Sequence, residues 1–193
     1  VVPVSRRCLT RILLAGGVLT LLPDELWADE QVPVRVQADL LVKVAAYDTA
    51  LVARPGDRRV LLFSNPDDVD GEAAPKRMKT ELGTFERIAG RAHEEDLIRY
   101  SSARALVEAC NKRDAAIAYL PPGLGGKVAG IARALVGTQV LTVAARPEYV
   151  REGAVLGFDL VSGKPRLLVH LGQARKQKVD FKPELLRLAK VYR

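Results

Sequence analysis

Few side chains of this 193-residue chain have the type and spacing that chemistry requires. Its two histidines, His93 and His170, stand 77 residues apart, and neither has a second ligand at metal spacing. His93 falls in the acidic run Glu94-Glu95-Asp96, which reads as a solvated loop. His170 alternates with Val169 and Leu171, as a hydrogen-bonded strand histidine would. There is no Gly-x-Ser-x-Gly nucleophile turn and no locally paired Cys and His. The sequence points to a non-enzyme that needs neither metal nor cofactor.

Two features point to binding. The loop Pro121-Pro122-Gly123-Leu124-Gly125-Gly126-Lys127 joins an apolar run to a helical segment. Glycines there let backbone N–H groups approach an anion at a helix start, so Gly125, Gly126 and Lys127 are candidate ligand residues. Lys127 is followed by Val, so this is not a phosphate-binding Walker loop. A tight strand-to-helix turn accounts for the same residues. Further on, Arg175, Lys176, Lys178 and Lys182 form a basic cluster that suits an acidic partner or a membrane surface. Cations near a helix end are also favourable without any partner.

The elements that position these residues follow from apolar periodicity. Leu40, Val44, Tyr47 and Leu51 predict one helix over 34–53, with Asp39 and Lys43 paired a turn apart. Val60 to Phe63, Ala115 to Leu120 and Gln139 to Ala145 read as buried strands. An acidic loop is expected over 65–75, a polar helix over 76–89, and a weak strand at 97–100. Helices are expected over 102–112 and 127–136. The chain then ends in two strands, 154–161 and 165–171, joined by Ser162-Gly163-Lys164. A last helix follows, with Leu185, Leu188 and Tyr192 on its apolar face. Alternating helices and buried strands predict a single α/β domain with a mainly parallel sheet, closed by an antiparallel hairpin and a helix.

The first residues read as an export signal. Arg6, Arg7 and Arg11 precede the uncharged run Ile12 to Leu22, which Pro23 ends. A membrane span needs roughly 20 apolar residues, so residues 1–28 are expected to be removed near Ala28 and Asp29. Ser5-Arg6-Arg7-Cys8-Leu9 resembles a twin-arginine signal, and both export routes stay open. Residues 29–193 then form the working domain, and the net charge falls from +7 to +6 as three basic and two acidic residues leave. Outside the cytoplasm a basic surface meets acidic proteins or anionic lipids, and nucleic acid is not an expected partner. Cys110 is the lone thiol of that domain, either buried or free to bond another chain.

The stretches Val140-Leu-Thr-Val, Gly153-Ala-Val-Leu-Gly-Phe-Asp-Leu, Lys164-Pro-Arg-Leu-Leu-Val-His-Leu and Phe181-Lys-Pro-Glu-Leu-Leu-Arg-Leu-Ala resemble the C-terminal half of the YfiR family. Leu41-Val-Lys-Val-Ala and the strand at 60–63 also fall where that family has them. The resemblance implies a small periplasmic regulator, often a homodimer. It would bind the periplasmic region of an inner-membrane diguanylate cyclase or sensor kinase, with peripheral membrane contact. The family's paired cysteines are missing here, which removes redox control through an intramolecular disulfide. An alternative is a small periplasmic solute- or anion-binding module.

Overall fold

The computed structural model describes residues 31–193. The expected signal segment, with its cleavage point at Ala28 and Asp29, lies outside the described residues.

The expected first helix is two. Helix α1 (Val34–Ala45) and α2 (Thr49–Ala53) are separated at Asp48, whose backbone is extended. The Asp48 carboxylate accepts the N–H groups of Ala50 and Leu51 at 3.1 and 3.2 Å, which starts a new helix. The buried face of α1 is Ala38, Leu41, Val44 and Ala45, and Tyr47 is 38% exposed. The Asp39–Lys43 pair forms on the exposed side at 2.8 Å.

Strand β1 (Arg58–Ser64) is followed by α3 (Val69–Leu82), which begins inside the expected acidic loop. Pro75 sits in this helix and has no N–H to offer the Gly71 carbonyl. That carbonyl instead accepts the Asn65 N–H at 3.0 Å, so the proline costs no hydrogen bond. Asp68 caps the helix start through the Gly71 N–H at 2.6 Å. Strand β2 (His93–Arg99) is longer than expected and includes the supposed loop histidine.

Helix α4 (Ala103–Lys112), strand β3 (Ile117–Leu120), helix α5 (Val128–Ala134) and strand β4 (Leu141–Ala144) fall where periodicity puts them. Helix α6 (Glu148–Glu152) was not anticipated. Strands β5 (Leu156–Val161) and β6 (Lys164–His170) form the expected hairpin. Its turn has two residues, not three: Ser162 and Gly163 carry φ of +51° and +72°, and Lys164 pairs with Val161. Positive φ at both positions matches the twist of the strands they join.

Helices α7 (Leu171–Lys176) and α8 (Pro183–Leu188) and strand β7 (Lys190–Tyr192) complete the chain. The predicted final helix face therefore breaks up. Leu185 is buried, Leu188 is 76% exposed, and Tyr192 belongs to β7 opposite His170.

The sheet order is β2-β1-β3-β4-β5-β6-β7, parallel through β5, with β6 antiparallel to β5 and β7 parallel to β6. This is the expected α/β class. Side chains alternate across the sheet, so Val60 and Leu62 join one core while Leu61 and Phe63 join the other. Helices α1, α3 and α8 cover the first core, and α4, α5 and α6 the second.

Candidate functional site

In this strand order, the helix after β1 lies on one face and the helix after β3 on the other. The chain thus parts at the carboxyl ends of β1 and β3, where open α/β sheets hold ligands. Here the two loops fill that gap themselves. Asn65 Nδ2 donates to the Gly123 carbonyl at 2.9 Å, and the Leu124 N–H donates to the Tyr149 hydroxyl at 2.8 Å. Gly123 has φ +76°, and a Cβ on it would lie 2.5 Å from the Asp68 Cβ. Gly71 is pressed as closely against the Pro122 carbonyl.

The glycine that close packing demands is therefore Gly123. Gly125 and Gly126 form an exposed turn, with open space where a Cβ would stand. The Lys127 N–H is taken by the Leu124 carbonyl at 2.9 Å, and the Lys127 ammonium stands 5.7 Å above the Tyr100 ring.

One strand over, a cavity of about 240 Å³ opens on the α1 and α3 side. Tyr119 from the end of β3, Ala145 after β4, Val32 and Gln37 line its inner part. Gln37 is 3% exposed; its Nε2 donates to the Val32 carbonyl at 2.7 Å, and its Oε1 accepts from the Tyr119 hydroxyl at 3.3 Å. Burial pushes the Tyr119 phenol well above its ordinary range, so this hydroxyl stays a donor. Asp70 and Arg77, two turns apart on α3, complete the wall. Gln37→Leu leaves two buried partners unsatisfied, and we expect a loss of about 1–3 kcal/mol in urea denaturation.

The two histidines and Cys110 serve structure. His93 is not in a solvated loop: its side chain is 4% exposed, Nδ1 pairs with the Glu95 carboxylate, and Nε2 donates to the Phe85 carbonyl at 2.8 Å. Strand β2 carries it inward because the Cα of His93 pairs with that of Arg58. His170 ends β6, and its Nδ1 accepts the Gln173 N–H at 3.2 Å to start α7. Burial lowers its pKa, which keeps the ring neutral for that role. Cys110 is buried in the second core, and its thiol is pushed up to about 12. Arg175 and Lys176 end α7, Lys178 follows in a left-handed turn, and Lys182 precedes α8; all four are exposed.

The family model described as YfiR/HmsC-like (DUF4154) matches residues 35–190. The chain belongs to the YfiR/HmsC-like family. Among solved structures, a conserved domain protein from Vibrio cholerae is similar, at 12% identity and a TM-score of 0.58. The match covers 86% of this chain and 61% of that one. The ABC domain from Streptococcus pneumonia, in complex with L-Trp, matches at 9% identity and a TM-score of 0.57, over 83% of this chain and 62% of that one. This chain thus spans about three fifths of both, and the likeness is one of fold. No curated protein sequence matches it. Among the described residues no helix is long and apolar enough to cross a membrane.

Proposed function

We propose that this protein is a non-catalytic periplasmic regulator. It binds the periplasmic region of an inner-membrane signalling protein, of the diguanylate cyclase or sensor kinase type, and restrains it. The observation that carries this role is the family match, which spans nearly the whole described domain. The leader at residues 1–28 would deliver the chain to that compartment. The structural duties of His93, His170 and Cys110 support a role without turnover.

Regulation follows from differential affinity. The domain binds one state of its partner more tightly and so raises the population of that state. A signal that changes this affinity about 5–150-fold is enough for control. Arg175, Lys176, Lys178 and Lys182 are proposed to meet an acidic face of the partner, which would make association faster at low salt.

The test is genetic. Deleting the coding sequence should change cyclic-di-GMP or kinase output, and restoring the chain with its leader should reverse the change. Restoration by a leaderless chain, or no change on deletion, would contradict the role. A second reading, solute binding, is favoured by the cavity beside Tyr119 over the Gly125-Gly126-Lys127 turn, because only the cavity is concave and floored by buried polar groups.

A further inference from the structure

Helix α3 engages half of its six charged side chains locally. Glu72 and Lys76 pair at 2.7 Å, and Lys79 donates to the Glu95 carbonyl at 2.8 Å. Asp70 and Arg77 differ. Both face the cavity beside Tyr119, and neither has a hydrogen bond or ion pair among the described residues. They lie seven positions apart, a rise of about 10.5 Å along the helix. One carboxylate and one guanidinium thus stand at separate points of the same wall, each lacking a counterion.

Between them the lining mixes apolar and polar side chains. Val34, Ala74 and Ala145 contribute, with the Gln37 amide and Tyr119 hydroxyl already engaged with each other. At about 240 Å³ the space lies below the roughly 300–1,000 Å³ of drug-sized sites, so the occupant is small. Its place at the carboxyl ends of β3 and β4 is the end of the sheet where ligands bind.

We infer that this cavity binds a small aliphatic zwitterion, its ammonium on Asp70 and its carboxylate on Arg77. A guanidinium holds a carboxylate through paired N–H donors, and a carboxylate accepts from an ammonium; both bonds are charge-assisted. The proposal deepens the regulatory role by giving its signal a chemical class, and rests on that role only for the consequence of binding. The Gln37–Val32 bond ties one wall to the start of α1, so occupancy would be felt by the segment leading into that helix.

Calorimetric titration of the full protein tests it, with L-leucine, glycyl-leucine and 6-aminohexanoate as zwitterions and hexylamine and hexanoate as single-charge controls. At least one zwitterion should bind saturably, and each control about tenfold or more weaker. D70N and R77Q should each weaken the zwitterion by a similar factor. Both positions are exposed, so the thermal midpoint without ligand should stay unchanged and show that the variants fold. Absence of saturable binding below about 10 mM for every zwitterion would overturn the proposal. So would a control that binds as well, or affinity indifferent to both variants. No partner is needed, so failure here leaves the regulatory role intact, and failure of the genetic test leaves this site intact.

Discussion

Gly71→Ala is expected to destabilise the domain by about 2–4 kcal/mol, although helix propensity alone predicts a gain of up to about 1 kcal/mol. The sign follows from what surrounds the position. A Cβ at residue 71 would lie 2.7 Å from the Pro122 oxygen and 2.9 Å from the Asn65 oxygen. Both are backbone atoms, so no side chain can swing aside. The same glycine donates its N–H to Asp68 and accepts the Asn65 N–H through its carbonyl. Relief of the clash would pull α3 away from the loops that close the gap between β1 and β3. Gly130, in α5, is the control. A Cβ there meets nothing within 4 Å, and Gly130→Ala should stabilise by about 0.5–1 kcal/mol. Urea denaturation of both variants measures the contrast.

Asp48→Ala should cost about 2–3 kcal/mol, more than a typical helix cap. Its Oδ1 serves three N–H groups, those of Ala50, Leu51 and, across 132 positions, Asp180 at 3.2 Å. The residue therefore starts α2 and pins the segment before α8, where it also bridges to Phe181. Asp48→Asn keeps an acceptor and should lose less than Asp48→Ala. Burial, set against the three N–H bonds and joined by repulsion from Asp180, raises the Asp48 pKa above its ordinary 3.8. With a raised folded value, the native state holds the proton more tightly than the unfolded chain. The contribution of Asp48 to stability therefore falls as pH rises from 3.8 through the folded pKa, and levels off beyond it. Denaturation of wild type and Asp48→Asn at stepped pH should show that decline in the wild type only.

How far the sequence disclosed this molecule depended on element length and on where hydrogen bonds are made. The strands at 60–63, 115–120 and 139–145 are continuous apolar runs because helices cover both faces of the sheet there. Helices α6 and α7 and strand β7 have five, six and three residues, too few to display a period. Pro75 disguised α3, since its tolerance depends on the Asn65 N–H, ten positions away. Asp48 before Thr49-Ala50-Leu51 was a visible helix start inside a segment that apolar spacing made look continuous.

The site was less legible than the fold. Gly123 to Lys127 announced a turn, but which glycine is crowded depends on Asp68 and Asn65 in another loop. The cavity draws Val32, Gln37, Asp70, Arg77, Tyr119 and Ala145 from four separate stretches, and no local motif unites them. The one sequence trace it leaves is the Asp70 and Arg77 spacing on α3. That spacing gains meaning only once the pairing of Glu72 with Lys76 is known. The C-terminal resemblance, by contrast, was carried by contiguous strands and turns, and the family match confirms it over residues 35–190.

The regulatory role is tested most directly by reconstitution. The purified domain is added to membranes holding a candidate inner-membrane signalling partner, and partner binding and output are read together. A restraining partner predicts saturable binding to the periplasmic region and output that falls in step with occupancy. Output that stays flat while binding is undetectable at micromolar concentrations would contradict the role.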